Sequence, residues 1–254
     1  MTGTEHHTPE SVRYHQYSKN PYLGHMPVPE REEDWPKEWT TTYYKSYPRF
    51  PEIVLPHRAD SYDLFATLQN RRSPWWSFTG APLSAHDYGT LLRYAPGIVR
   101  PADTLPDGRV CRAYPSAGFR FPLETYVIVF HGDETIAPGL YHYNIKGHAL
   151  TVLWEHTFTP EETHELARAL WIDKAAALIV HTAVFWRTQT KYGERGYRYA
   201  LLEAGHIAQN MQIVATALGV HSCPLGGTND GKIEALIDID GVNESLVYTL
   251  AIGR

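Results

Sequence analysis

The sequence predicts one α+β domain, in which helices flank a central sheet and an N-terminal arm lies on the outside. Three observations support this fold class. Small and apolar residues recur at helical spacing up to Gly219, and the largely apolar character of Ala177–Val184 is typical of a strand at the centre of a sheet. No repeat or linker divides the 254 residues.

Composition excludes several classes of protein. The formal net charge is -5 and there is no dense Lys/Arg block, which gives no electrostatic reason to expect nucleic acid. The two cysteines, Cys111 and Cys223, have no motif spacing, so we expect a reducing cytoplasm and no zinc site built from cysteines. The polar first ten residues argue against a signal peptide, and no run is long enough to span a membrane.

The N-terminal region differs from the rest of the chain. Eight of the 18 prolines lie in residues 1–56, interleaved with many Tyr and Trp residues. Proline fixes φ and removes a donor, so long elements are not expected there, while a disordered tail would rarely hold so many aromatic residues. We therefore divide the chain into an ordered arm, residues 1–60, and a main domain, residues 61–254.

Helix and strand signals then follow in order. A helical pattern runs from Ser61 through Leu64, Phe65 and Leu68 and stops near Pro74, and Ser84 is the expected N-cap of a second helix whose Leu91 and Leu92 face inwards. Residues 100–122 form a loop-rich passage. Further strands are expected at Thr125–Phe130, Leu140–Tyr143, Leu150–Trp154 and Leu246–Ile252, and further helices from Thr159-Pro160-Glu161-Glu162 and around Lys232–Ile237.

The stretch from Lys191 to Gly227 is the most informative. Apolar spacing from Ala200 to Leu218 predicts a helix buried on most of its circumference, with Gly219 in a left-handed turn at its end. A short strand is expected at 220–223, before Pro224.

Residues 226–232 resemble a phosphate-binding loop but lack two of its features. The stretch reads Gly-x-x-x-x-Gly-Lys, but the next residue is Ile233, where magnesium binding needs Ser or Thr. Pro224 also interrupts the strand that should precede it. A turn with Asn229, Asp230 and Gly231 is the favoured interpretation.

Two Glu-x-x-His pairs have the spacing used in di-iron helical bundles. Glu161 and His164 lie at a helix start, where capping already accounts for the glutamate, and the many strands argue against a bundle. For Glu203 and His206 we favour a buried, hydrogen-bonded helix face shared with Asn210, and we predict no metal site.

No Gly-x-Ser-x-Gly elbow and no Gly-x-Gly-x-x-Gly after a strand are present, which disfavours a hydrolase triad and a nicotinamide Rossmann domain. What remains is a set of residues, spread along the chain, whose side chains or backbone amides can donate hydrogen bonds to an anion. Together they fit one anionic cofactor held by guanidinium groups and backbone amides. These donors are Arg71, Arg72, Ser73, Ser116, Gly118, Gly226, Gly227 and Arg254.

In their order along the chain, these motifs resemble a SagB-type dehydrogenase, of the thiazoline/oxazoline oxidase kind, in the FMN-dependent nitroreductase superfamily. The resemblance covers nearly the whole length. The motifs that carry it are Tyr14-His15, Ser18-Lys19, Tyr47-Pro48 to Leu55-Pro56, Arg71-Arg72-Ser73, Tyr114-Pro115-Ser116-Ala117-Gly118, Pro122-Leu123-Glu124, Gly139 to Tyr143, Lys191 to Asn210, Cys223 to Gly227, and Gly253-Arg254.

The resemblance implies a nitroreductase-like fold with a mixed central sheet, and a homodimer with FMN at the subunit interface. By position, Arg71, Arg72, Ser73 and Arg254 would hold the phosphate and ribityl chain, Ser116 and Gly118 would lie along the flavin, and Leu225, Gly226 and Gly227 would contact it through the backbone. One position departs from the pattern, because Trp75 stands where the superfamily often has a second basic residue. It is followed by Trp76, and these side chains either wall the pocket or pack in the core.

In azoline-oxidising members a Lys-Tyr pair performs proton transfer, and it matches Lys191 and Tyr192. Free lysine and tyrosine have pKa values near ~10.4 and ~10, too high for a base at neutral pH. Burial would lower the pKa of Lys191, and a nearby cation, Arg195 or Arg198, would lower that of Tyr192. The alternative is that Lys191 and Tyr192 are only the polar entry to the helix.

The resemblance thus implies an FMN-dependent dehydrogenase for a thiazoline or oxazoline in a peptide-derived or carrier-bound natural-product intermediate, with oxygen reoxidising the flavin. Two alternatives stay open: an NAD(P)H-dependent nitroreductase-like reductase, and a non-catalytic subunit that binds flavin or peptide in a biosynthetic complex.

Overall fold

A computed structural model describes residues 10–19, 29, 31–58, 60–99 and 109–254. Its centre is a seven-stranded sheet of order β1-β4-β3-β2-β5-β7-β6. The strands are β1 Glu52–Val54, β2 Leu123–Val129, β3 Gly139–Asn144, β4 Ala149–Glu155, β5 Ala177–Val184, β6 His221–Leu225 and β7 Glu244–Gly253. The α-helices in the described ranges are α1 Glu10–Tyr17, α2 Lys37–Thr40, α3 Leu64–Asn70, α4 Ala85–Tyr94, α5 Pro160–Leu166, α6 Trp186–Tyr192, α7 Glu194–Leu218 and α8 Asp230–Ile237.

The α+β, nitroreductase-like fold class is confirmed, but the expectation of a mixed sheet is wrong. All six strand pairings are antiparallel. The connection from β2 to β3 spans residues 130–138 and that from β3 to β4 spans residues 145–148, and both are shorter than the crossover that parallel neighbours need. Strands apolar on both faces are typical of parallel sheets, yet here an antiparallel sheet is covered on both sides.

The central position predicted for Ala177–Val184 is confirmed, since β5 pairs with β2 and β7. Successive side chains of a strand point to opposite faces. Val127 and Ile179 therefore join the core beneath α4 and α7, while Ile128 and Leu178 join a second core beneath α5 and α8.

Capping signals located two helices well. Ser84 and Thr159 each form a capping box at the starts of α4 and α5, and Leu91 and Leu92 are buried as predicted. The helix expected through Leu64, Phe65 and Leu68 is present as α3, but these apolar residues do not mark a buried face, because Phe65 is 81% exposed. Its Leu64 and Leu68 are exposed as well, and the residue that α3 buries is Thr67.

The long helix ends at Gly219 in the predicted left-handed conformation, with φ 68°. Its start differs from expectation: α6 ends at Tyr192, and Gly193, with φ 53° and ψ -143°, separates it from α7. The helix is buried on one face rather than on most of its circumference. In the single chain, Leu201 and Leu202 are 39% and 55% exposed.

The predicted buried face of Glu203, His206 and Asn210 is correct only in part. Glu203 is buried and Asn210 donates to the Ala113 carbonyl at 2.9 Å, whereas His206 is exposed. His206 is thus exposed in the single chain, whereas Glu203 and Asn210 form hydrogen bonds with residues 117 and 113.

Pro224 lies within β6 instead of following it, and pairs with Leu250 of β7. The residue lacks a backbone donor, which a central strand would need but an edge strand does not. The described sheet has β6 at its edge, so the strand continues two residues past the predicted end.

The predicted arm contributes α1, α2 and β1 in its described parts, and β1 pairs with β4. Trp39 of α2 donates its indole N–H to the Thr190 carbonyl at 3.0 Å, and Thr42 donates its hydroxyl to the Phe119 carbonyl at 3.0 Å. Pro9, Pro21 and Pro27 of this region, and residues 100–108 of the predicted loop passage, lie outside the described residues.

Candidate functional site

Lys191 and Tyr192 end α6 beside the turn that contains Gly118. A Cβ added at Gly118 would stand 2.6 Å from the Tyr192 hydroxyl oxygen and 3.4 Å from the Lys191 Nζ. The glycine also has φ +59°, a conformation that side chains disfavour. The fold thus brings Lys191 and Tyr192 against a turn that only glycine fits.

Hydrogen bonds from backbone amides to the side chains of Ser116 and Glu203 hold the same turn in place. The Ser116 Oγ accepts from the Phe121 amide at 2.8 Å, and the Glu203 Oε1 accepts from the Ala117 amide at 3.1 Å. Glu203 is only 3% exposed, and its Oε2 has no hydrogen-bond partner in the described part of the chain. Burial raises the pKa of this carboxyl to about 7, against hydrogen bonds from Ser116 and Ala117 that lower it.

Burial also acts on the pair itself. It lowers the pKa of Lys191, with Arg120 and Arg109 adding to the effect and Glu32 opposing it. It raises the pKa of Tyr192, with Tyr199 adding to that rise. The expected direction is confirmed for lysine and wrong for tyrosine, because the desolvation of the phenolate outweighs the nearby Arg120.

Arg195 and Arg198 do not serve as the cations beside Tyr192. Arg195 donates to the Ser18 carbonyl at 3.0 Å, and Arg198 donates to the Ser18 hydroxyl at 2.5 Å. They hold the end of α1 instead. The cation that does affect Tyr192 is Arg120, which is fully buried and donates to the Thr41 and Arg187 carbonyls at 2.7 Å each. Sequence reasoning missed Arg120, although an arginine between two phenylalanines was a signal of a buried charge.

Sequence reasoning also missed the aromatic cover over Lys191. The Lys191 Nζ lies 3.5 Å from the ring centroid of Trp35 and 5.9 Å from that of Trp39. Both tryptophans belong to the predicted arm, whose wealth of aromatic residues was the only sequence signal.

A second group of predicted residues lies at the end of α3. Arg71 donates to the Gln212 Oε1 at 3.2 Å and to the Ser73 Oγ at 3.5 Å, and Arg72 donates to the Gln69 carbonyl at 2.9 Å. Within the described ranges, neither arginine has a carboxylate within ion-pair distance. A cleft of about 300 Å³ beside Arg72 is lined in addition by Asn70, Pro74, Thr216, Gly219, Val220 and His221.

The remaining predicted cofactor residues lie at the end of β6 and of β7. The Leu225 carbonyl accepts from the Thr249 hydroxyl at 3.0 Å, and a Cβ added at Gly226 or Gly227 would meet no atom within 4 Å. The Arg254 guanidinium donates to the Asp87 Oδ2 at 3.0 Å, so this arginine is already paired.

Trp75 and Trp76 differ in their surroundings. The Trp75 ring stacks on that of Trp171 with centroids 6.1 Å apart, and Trp76 is 67% exposed. Trp75 is itself 47% exposed, so the expectation that the two tryptophans pack in the core is wrong.

The two groups of predicted residues attach to different turns of α7. Glu203 contacts the Ser116–Gly118 turn and Gln212 contacts Arg71. Glu203 and Gln212 are nine positions apart on the helix, which corresponds to a rise of roughly 13 Å. Open glycines and unpaired guanidinium groups suit a phosphate-bearing cofactor such as FMN. Within one chain, no hydrogen bond or ion pair among the described residues joins the two groups.

Other kinds of site find no support in the described ranges. No group of three or more metal-ligating side chains is found there, and no described helix is long and apolar enough to cross a membrane.

Comparison with known proteins extends these observations. The chain is 32% identical over 207 residues to MJ1384 of Methanocaldococcus jannaschii, a protein described as a nitroreductase, and the match covers 80% of this chain and 96% of that one. It is also 30% identical over 145 residues to the microcin B17-processing protein McbC of Escherichia coli, covering 53% of this chain and 52% of McbC. The chain thus spans about half the length of McbC.

Two solved structures share the fold. One, described as a nitroreductase from Anabaena variabilis, has a TM-score of 0.67 at 26% identity and covers 95% of this chain and 45% of its own. The other is the E. coli microcin synthetase McbBCD complex with truncated pro-MccB17 bound, with a TM-score of 0.64 at 21% identity over 96% of this chain and 90% of its own. The model of the nitroreductase family matches residues 68–254, and the chain therefore belongs to the nitroreductase family.

Proposed function

We propose that this protein is an FMN-dependent dehydrogenase that oxidises a thiazoline or oxazoline ring in a peptide-derived or carrier-bound intermediate. The observation that carries the proposal is the placement of the Lys191 Nζ and the Tyr192 hydroxyl against Gly118. McbC, which matches half of this chain, is a microcin-processing protein, and a complex that contains a bound precursor shares the fold. Peptide processing is therefore the favoured setting for the flavin chemistry.

Members of the nitroreductase family typically bind FMN. In the proposed site Arg71, Arg72, Ser73 and Arg254 would bind its phosphate and ribityl chain, and Ser116, Gly118, Leu225, Gly226 and Gly227 would lie along its ring. Bound FMN would supply the hydride acceptor. Arg254 would have to share its guanidinium with Asp87.

The two residues of the pair have different roles in this proposal. A half-buried lysine whose pKa is lowered offers more free amine at neutral pH, which suits Lys191 as the base that takes a proton from the ring carbon. A tyrosine whose pKa is raised stays protonated, so Tyr192 would donate a hydrogen bond to the substrate and orient it. Proton loss from carbon and hydride loss together remove two hydrogens and leave an aromatic ring.

A second copy of the chain would complete the site. The turn at Gly118 and the arginines at the end of α3 are separated along α7, and the exposed Leu201 and Leu202 lie on the same helix. A helix face with exposed leucines is suited to pack against its own copy. We propose a homodimer whose interface joins one copy's turn to the other copy's arginines.

The test is oxidation of a synthetic peptide with one internal thiazoline by protein loaded with FMN, followed by mass spectrometry. We expect loss of two hydrogens, and a decrease of at least about 100-fold in kcat for Lys191→Ala with FMN retained. Lys174→Ala, which removes an exposed lysine elsewhere, is the matched control.

Three results would contradict the proposal. Protein that shows no flavin absorption even after FMN is added would leave no basis for the enzyme. Flavin that bleaches rapidly with NADPH, in protein inert towards thiazolines, would favour the reductase that similarity to MJ1384 suggests. Flavin binding with neither activity would favour a non-catalytic subunit of a biosynthetic complex.

A further inference from the structure

The segment of residues 31–43 forms a bridge over the candidate catalytic pair. The Trp39 indole N–H donates a hydrogen bond to the Thr190 carbonyl, next to Lys191. The Thr42 hydroxyl donates one to the Phe119 carbonyl, next to Gly118. On the same side, the buried Arg120 donates to the Thr41 carbonyl. Hydrogen bonds thus fix the segment both to α6 and to the turn that contains Gly118, and a substrate would lie between these two elements.

Within this segment, Trp35 is the residue whose ring lies against Lys191. Its ring centroid is 3.5 Å from the Lys191 Nζ, and its indole N–H is bonded to the Pro29 carbonyl at 2.8 Å, which fixes the ring. An edge-on contact with Trp39, with centroids 6.2 Å apart, supports it further. The ring face therefore lies over the amine that we propose as the base.

Trp35 lies outside the region that the family model matches. The nitroreductase family model matches residues 68–254, whereas Trp35 lies in the preceding segment. A residue there is placed to distinguish the substrate of this chain and is not needed for flavin chemistry in general.

We infer that Trp35 is a specificity-determining residue, whose indole face binds the planar five-membered ring of the substrate beside Lys191. This inference rests on the proposed function. In the described arrangement the Lys191 ammonium covers the indole face. A substrate ring that stacks there displaces the Lys191 Nζ, whose free-amine form then lies next to the ring carbon and takes its proton.

The test uses FMN-loaded protein and a synthetic tripeptide with one internal thiazole, which binds as the product ring and is not oxidised. We expect Trp35→Leu to weaken binding of this tripeptide, measured by calorimetry, by roughly three- to tenfold, and Trp35→Phe to restore most of the affinity. With the matching thiazoline peptide, KM should rise by a similar factor while FMN affinity is unchanged.

Trp186→Leu is the matched control, since Trp186 is an exposed indole that contacts the same segment through Tyr43, with ring centroids 4.8 Å apart. Equal weakening in the Trp186 and Trp35 variants would mean that only docking of the segment matters, and would overturn the inference. Unchanged affinity and KM in Trp35→Leu would overturn it as well. Failure of the unaltered protein to oxidise thiazolines is a separate result, which contradicts the proposed function.

Discussion

Glu203 gives the sharpest test of the electrostatics of this fold. Its pKa is about 7 in the folded chain, against an ordinary value of 4.5. Between these values the folded state holds a proton that the unfolded state has lost, so the stability present below pH 4.5 is lost as the pH rises through 7. At about 1.4 kcal/mol for each pH unit, the loss between pH 5 and pH 8 is about 2.5 kcal/mol.

Replacing Glu203 with Gln removes the titration but keeps an oxygen that can accept from the Ala117 amide. We expect the free energy of unfolding of Glu203→Gln to rise relative to the unaltered protein by about 2.5 kcal/mol between pH 5 and pH 8. Urea unfolding at fixed protein and FMN concentrations measures this difference. NMR of protein labelled with ¹³C-glutamate, which follows the carboxyl directly, gives an independent titration.

Asp240→Asn is the matched control. Backbone hydrogen bonds from Val242 and neighbouring residues lower the pKa of Asp240 to about 2, so this group titrates below the measured window. Its variant should differ from the unaltered protein by a constant amount from pH 5 to pH 8. A constant difference for Glu203→Gln over the same window would refute the argument that burial keeps this carboxyl protonated.

Three further predictions concern the proposed cofactor site and interface. Arg72→Gln should weaken FMN binding, measured by fluorescence titration, by roughly tenfold while riboflavin binding stays the same, because only FMN has a phosphate for the guanidinium to pair with. Leu202→Asp should convert the proposed dimer to a monomer in sedimentation experiments, whereas Leu170→Asp, at a residue that is 83% exposed, should not. Gly118→Ala should lower kcat by at least about tenfold without unfolding the protein, since the added methyl group would press on the Tyr192 hydroxyl and α6 would have to shift.

Local signals in the sequence predicted local structure well. β5 has the predicted bounds, because a run whose residues are apolar except for His181 and Thr182 fits the centre of a two-sided core. The caps at Ser84 and Thr159 were readable because a capping box needs only four consecutive residues. The break at Gly193 was missed, since a single glycine within a charged stretch looks the same whether it turns the chain or continues a helix.

The candidate site depended on contacts between distant parts of the chain. The resemblance selected Lys191, Tyr192 and Gly118, and the fold places them together. Nothing local to Trp35 indicates that its ring lies over Lys191. The direction of the Tyr192 pKa was mispredicted for a related reason, because sequence proximity to Arg195 does not determine which cation is near in space or how deeply the phenol is buried.

Pro224 has a consequence for how copies of this protein meet. An edge strand exposes donors and acceptors that can recruit a strand from a neighbouring molecule and so start aggregation. β6 is five residues long and carries a proline in its fourth position, so an incoming strand finds no donor there and the hydrogen-bond ladder is interrupted. Association through this sheet edge is thereby disfavoured, which agrees with the proposal that two copies join through the leucines of α7.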